Sequence, residues 1–227
     1  MKWKLHQVVA PFSGILNNAS YMADLSKWRN DHEVVGYNDY YQKDWDYNRR
    51  YTLYQAIGEN ENLFDVPIDY FEFGVSGGAS FRWWLQHNKN EESRFFGFDT
   101  FEGLPEKFGD FEKGSMAVTL ETLNITDSRS TFYKGLFQQS LIPFLEAYDG
   151  RQRKLIHMDA DLFSSTIFTL SQLYRFLKPG DIILFDEFAV PTHEFLAFKI
   201  FTESFYINYD VIGAANNYLF VAIKIKE

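Results

Sequence analysis

Acidic residues gather at two points in the chain, His157-Met-Asp159-Ala-Asp161 and Asp186-Glu187. Each group closes a short apolar run, Lys154 to Asp159 (KLIHMD) and Asp181 to Glu187 (DIILFDE). If both runs are strands and neighbours, the four carboxylates Asp159, Asp161, Asp186 and Glu187 stand together at their ends. Strand alternation puts Asp159 and Asp161 on the same side, provided the strand persists that far. Carboxylates this close either have their pKa values pushed up or recruit a cation. Oxygen ligands of this kind suit Mg²⁺, Ca²⁺ or Mn²⁺ rather than zinc. An ion holding two oxygens of an acceptor lowers the pKa of a hydroxyl, and a neighbouring carboxylate then removes the proton as general base. The alternative is that single acids cap the helices that follow. His157 reads as a buried strand residue rather than a ligand, because no other nitrogen donor nearby completes a site.

A second chemical pattern lies upstream. Asp69-Tyr-Phe-Glu72-Phe-Gly74-Val-Ser-Gly77-Gly78-Ala-Ser80 closes one apolar run and opens a helical one. Glycines at such a junction let the backbone turn tightly and leave room for a ligand at the sheet edge. The next run ends in Asp99-Thr100, and the distance from Gly78 to Asp99 matches the roughly 20 residues expected between a glycine turn and an acid for ribose hydroxyls. A dinucleotide oxidoreductase wants glycine where this chain has Ser76. An acid two residues ahead of the first glycine, as Glu72 is, suits a cofactor with a cationic methionine end. The bland alternative is a tight strand-to-helix turn with no ligand.

Positioning these groups requires alternating strands and helices. Strands are predicted at Ile68 to Gly74, Arg94 to Asp99, Ser130 to Lys134, Lys154 to Asp159 and Asp181 to Glu187. A helix (ASFRWWLQHN) follows Gly78. Another is predicted with Ser164 or Ser165 as its cap and with Ile167, Leu170, Leu173 and Leu177 on one face; Pro179-Gly180 stops it. His193-Glu194 opens a further helix (EFLAFKIF), where a capping role is expected ahead of a contact with an acceptor. Tyr206 to Ala215 and Tyr218 to Ile225 are strand-like and joined near Asn216-Asn217, a gap that permits only an antiparallel pair. The expected fold is therefore α/β, with a sheet parallel in its body and antiparallel at its end. Residues 1–63, rich in Tyr, Asn, Asp and Trp and lacking strong strand signals, form a separate helical and aromatic cover segment; residues 64–227 form the ligand-binding domain.

Composition narrows the classes. A net charge of −9 and no Lys/Arg run argue against nucleic acid as a partner. The absence of cysteine removes disulfide scaffolds and thiolate zinc sites. No apolar stretch approaches the roughly 18 residues of a spanning helix, and Met1 to Ala10 is too short an apolar run for a signal peptide. A cytoplasmic protein with no membrane partner is the expectation. The aromatic share of 19% can thicken a core, line a pocket or support a homodimer.

Taken together, RRYTLYQAI (Arg49 to Ile57), DYFEFGVSGGASF (Asp69 to Phe81), FFGFDTFEGLPE (Phe95 to Glu106) and HMDADLFSST (His157 to Thr166) resemble the macrocin O-methyltransferase family of antibiotic-sugar methylating enzymes. YKGLFQQSLIPFL and ILFDEF support the likeness, and FDTFEGLP is its most specific block. The resemblance implies a Rossmann-like class I methyltransferase sheet, S-adenosylmethionine as cofactor, Mg²⁺ or another divalent cation, and a small-molecule acceptor, a sugar or a sugar-bearing natural product. It implies that Glu72, Gly74 and Ser80 hold the methionine end of the cofactor, with Gly77 and Gly78 in the same turn, and that Asp99 with Thr100 takes the ribose. Asp159, Asp186 and Glu187 fall at the family's metal positions and Asp161 at its base. One departure stands out: such enzymes tend to carry two aspartates where this chain has Asp186-Glu187. The Tyr-rich stretch Gly36 to Tyr54 falls where they build a cover over the acceptor. A catechol-like methyltransferase acting on a small phenol and a non-catalytic cofactor-binding partner domain are the other readings.

Overall fold

The computed structural model describes residues 4–227; the first three residues of the predicted 1–63 cover lie outside the described residues. The chain runs α1 (Leu5–Val9), α2 (Ser13–Asp31), β1 (Val34–Asn38), α3 (Arg49–Asn60), β2 (Ile68–Phe73), α4 (Ala79–His87) and β3 (Arg94–Asp99). It continues through α5 (Leu120–Leu123), β4 (Ser130–Lys134), α6 (Phe137–Ala147), β5 (Arg153–Met158), α7 (Phe163–Leu173), β6 (Ile182–Phe185), α8 (Glu194–Phe205), β7 (Tyr209–Ala215) and β8 (Phe220–Ile225).

The strands form one eight-stranded sheet in the order β1-β7-β8-β6-β5-β2-β3-β4. All pairings are parallel except those of β8, which runs antiparallel between β6 and β7. The mainly parallel body and the antiparallel terminal pair are as the sequence predicts. Helices cover both faces, and every residue of β2 and β6, and all of β5 except Arg153, is buried. The side-chain period of two divides each strand between two cores. Tyr70, Phe95, Leu155 and Leu184 pack with Leu53, Tyr54 and Ile57 of α3 and Phe81 and Trp84 of α4. Phe71, Phe73, Ile156 and Phe185 pack on the opposite face with Leu141 of α6, Leu170 of α7 and Phe198 of α8. Trp28 of α2 joins that second core, 4.8 Å from the Phe188 ring.

Three expectations are corrected. The cover segment does contain a strand: β1 adds to the sheet edge in parallel with β7, and its half-exposed, glycine-containing sequence carries no alternation to reveal it. Neither Ser164 nor Ser165 caps α7, because the helix already begins at Phe163 with Leu162 in the cap position; the Ser164 hydroxyl donates instead to Glu106, 2.6 Å away. The strand predicted from Tyr206 starts at Tyr209, because Tyr206 is the left-handed cap that ends α8. The turn between β7 and β8 lies where predicted, with Asn216, Asn217 and Tyr218 all at positive φ, a region that asparagine tolerates. No helix among the described residues is long and apolar enough to cross a membrane.

Candidate active site

A cleft of about 900 Å³ opens along the carboxyl ends of β2, β3, β5 and β6. β3 and β5 flank β2 on opposite sides, so the chain's connections diverge here, the place where open α/β sheets bind ligands. Every residue predicted to hold the cofactor or the metal, or to act as base, lines this cleft, whereas His157, His193 and Glu194 do not border it. Glu72, Gly74, Gly77, Gly78, Ser80, Asp99 and Thr100 border one part of it, and Asp159, Asp161, Asp186 and Glu187 another.

At the glycine turn the backbone itself explains the residue choice. Gly74 has φ +97, and a Cβ there would run into the Asp159 carbonyl oxygen. The turn is thus pressed against the end of β5, and glycine alone allows both the dihedral and the approach. Gly78 (φ +71) precedes α4, while Gly77 has open space around it. The N–H groups of Ser76 and Phe101 donate to the two oxygens of Asp99, at 2.8 and 2.7 Å. Asp99 therefore clips the glycine turn to the loop after β3, with its carboxylate at the cleft wall.

Beneath the turn lies a buried polar row. Glu72, 1% exposed, stands directly across from His157 in the β2–β5 register and accepts a hydrogen bond from the Tyr70 hydroxyl. Burial opposes charge on His157, but the Asp186 and Glu72 carboxylates outweigh it and raise the imidazole to about 10. Its ring nitrogens lie 3.2 Å from the Tyr54 hydroxyl and 3.3 Å from that of Tyr70, so both have polar partners inside the core, in keeping with the reading of His157 as a buried strand residue. Ser80, on the first turn of α4, sits 3.2 Å from the Tyr54 hydroxyl.

Asp159 and Asp186 follow β5 and β6, and the two strands do pair. Each Asp, like His157, offers an atom within 4.8 Å of the others. Burial, then the Asp186 charge, pushes the Asp159 carboxyl well up. Asp161 reaches the cleft by a different route from the predicted one: β5 ends at Met158, and a left-handed turn (φ +58) aims Asp161, not strand alternation. Burial, followed by the Glu187 and Asp186 charges, lifts it to about 7. Burial also raises Glu187, against the lowering effect of a hydrogen bond from Tyr47.

The donor chemistry at Asp159 and Asp186 fits an oxygen-seeking divalent ion, and the buried Asp186 Oδ1 has no hydrogen-bond partner. Glu187 stands outside the close cluster of His157, Asp159 and Asp186; its Oε1 accepts from the Tyr47 hydroxyl at 2.5 Å. Arg50 Nη1 lies 3.4 Å from Asp186 Oδ2 and 4.0 Å from Asp159 Oδ2. Neither Tyr47 nor Arg50 was picked out by sequence reasoning, although both lie in the predicted cover and line the cleft. His193 caps a neighbouring helix rather than its own: its Nδ1 accepts from the Phe163 N–H at the start of α7 (3.3 Å). Glu194 caps no helix and accepts instead from the Glu187 N–H in the loop after β6 (2.9 Å).

The Macrocin-O-methyltransferase (TylF) family matches residues 48–216. A curated relative, 8-demethyl-8-(2,3-dimethoxy-alpha-L-rhamnosyl)-tetracenomycin-C 4'-O-methyltransferase of Streptomyces olivaceus, is 31% identical over 146 residues, 55% of this chain and 54% of the relative. The chain thus spans about half the length of the curated relative it matches. Among solved structures, the calicheamicin methyltransferase CalS11 aligns with a TM-score of 0.61 at 21% identity, covering 79% of this chain and 78% of its own. The O-methyltransferase NovP aligns with a TM-score of 0.58 at 21% identity over the same shares. At that identity these two structures speak for the fold, which is theirs.

Proposed function

Because the chain belongs to the macrocin O-methyltransferase family, we propose that it moves the methyl group of S-adenosylmethionine to a hydroxyl oxygen of a sugar or sugar-bearing natural product. The observation that carries this reading is the shared cleft, with a glycine turn and ribose acid in one part and a raised carboxylate, Asp161, in the other. The curated relative, named for methylating a rhamnosyl group, supports the acceptor class.

In this reading Glu72 lies at the cationic methionine end of the cofactor, and Asp99, fixed by two backbone N–H groups, meets the ribose. Gly74 and Gly78 let the chain approach the cofactor without side chains in the way. Transfer is an in-line displacement: the acceptor oxygen bonds to the methyl carbon as the carbon–sulfur bond breaks. Alignment of the two supplies much of the rate. Asp161 takes the hydroxyl proton, and its elevated pKa near neutrality suits a general base. A divalent ion bound by Asp159, Asp186 and Glu187 would grip acceptor oxygens and lower the pKa of the hydroxyl. Residues 1–63 act as the cover, Tyr47 and Arg50 being its contribution to the cleft wall.

Calorimetry with S-adenosylhomocysteine, with Mg²⁺ and again with chelator, tests the cofactor half, and binding in about the micromolar range is expected. An acceptor screen beginning with deoxysugar glycosides, read by mass gain of one methyl group, tests the rest. Absence of S-adenosylhomocysteine binding under both conditions would overturn the reading.

A further inference from the structure

Each carboxylate proposed to hold the metal already has a partner: one turn of chain, Tyr47 to Arg50, engages all three. Arg50 faces Asp186 and Asp159 at 3.4 and 4.0 Å, and Tyr47 donates to Glu187. The guanidinium is held in place from its flanks. Its carbon sits 5.0 Å from the Tyr47 ring centroid and 5.4 Å from that of Phe220, and the side chain is only 17% exposed. Asn48 stands at the N-cap position of α3, and Tyr47 and Arg50 lie on either side of it, tied together by the Arg50 N–H to Tyr47 carbonyl bond.

Resting on the metal reading above, we infer that Arg50 is a built-in counter-ion of the Asp159–Asp186 pair, which a divalent cation must displace in order to bind. A guanidinium and a dication cannot share two carboxylate oxygens at these distances without strong repulsion. Withdrawal of Arg50 pulls on Tyr47 through their common turn, and release of the Tyr47 phenol frees Glu187, which is then available to join the two aspartates. Metal loading and movement of the first turn of α3 are therefore one event. The turn offsets the charge of the Asp159–Asp186 pair when no ion is bound and opens the acceptor side when one is. This is competition between two cations for one site, and linkage makes it reciprocal.

The test is calorimetry of Mn²⁺ binding to metal-free wild-type protein and to Arg50→Met, with S-adenosylhomocysteine binding measured on both. Arg50→Met is expected to bind Mn²⁺ at least about ten-fold more tightly than wild type. Equal or weaker binding by the variant overturns the inference alone. If neither protein takes up Mn²⁺ while both bind S-adenosylhomocysteine, the metal reading falls and the inference with it. A second readout uses wild type only: amide exchange across residues 49–52 is expected to quicken when Mg²⁺ binds. Unchanged exchange there, at a metal concentration shown to saturate, overturns the inference even if the variant does not fold.

Discussion

Asp161 sits at φ +58, a backbone conformation that a short polar side chain tolerates and most others resist. That turn, rather than the strand, aims its carboxyl at the cleft. Asp161→Asn keeps the shape and removes the basic oxygen, so kcat should fall by about 10²- to 10⁴-fold with S-adenosylhomocysteine affinity unchanged. Undiminished turnover would sink the assignment. The glycines offer a sharper contrast. Gly74→Ala combines a positive φ with a Cβ driven into the Asp159 carbonyl, and should lower unfolding stability by about 2 to 4 kcal/mol or abolish folding. Gly77→Ala meets open space and should stay within about 1 kcal/mol of wild type; denaturant melts of the two variants decide it. The acids and glycines were legible because their chemistry depends on type and local spacing. Tyr47 and Arg50 were not. Tyr47 meets Glu187 across 140 residues of sequence, and nothing in RRYTLYQAI announces which acids an arginine will face.

The central strands were legible as elements because both their faces are buried and their sequences say so. β1 was not, since an exposed edge strand makes no such demand on its residues. Between elements, Glu61 just beyond α3 binds Arg153 at the start of β5 (2.6 Å) and Lys224 of β8 (2.8 Å). Burial opposes its charge, but these two partners win and hold its carboxyl below the ordinary value. A group whose pKa falls on folding stabilises the protein fully above its unfolded pKa and loses that contribution as pH drops through the folded value. The unfolding free energy should therefore decline on acidification, and Glu61→Gln should flatten that decline. Parallel stability-versus-pH curves for the two proteins would show that the tie between α3 and the sheet does not depend on charge.

At the scale of the whole molecule the cleft gathers turns from β2, β3, β5 and β6 with residues of the cover, so a ligand filling it binds the folded chain alone. S-adenosylhomocysteine at one hundred times its Kd should stabilise the protein by about 2.7 kcal/mol, visible as a rise in Tm; an unmoved Tm would argue against a preformed site. The fold class was legible at this scale because strand and helix alternate in order, whereas the joining of cover to sheet was hidden in pairings remote in sequence. β1 pairs with β7, and Asp39 accepts from the Asn216 N–H 177 positions away, while β7 reaches the rest of the sheet only through β8. This sets an order of events during synthesis. A nascent chain on the ribosome that already carries its glycine turn and all its acids still lacks the strands that seat β1. Tyr47 and Arg50 can be fixed over the acids only after β7 and β8 have emerged and paired, so this stretch of the N-terminal segment settles after the sheet whose edge β1 joins.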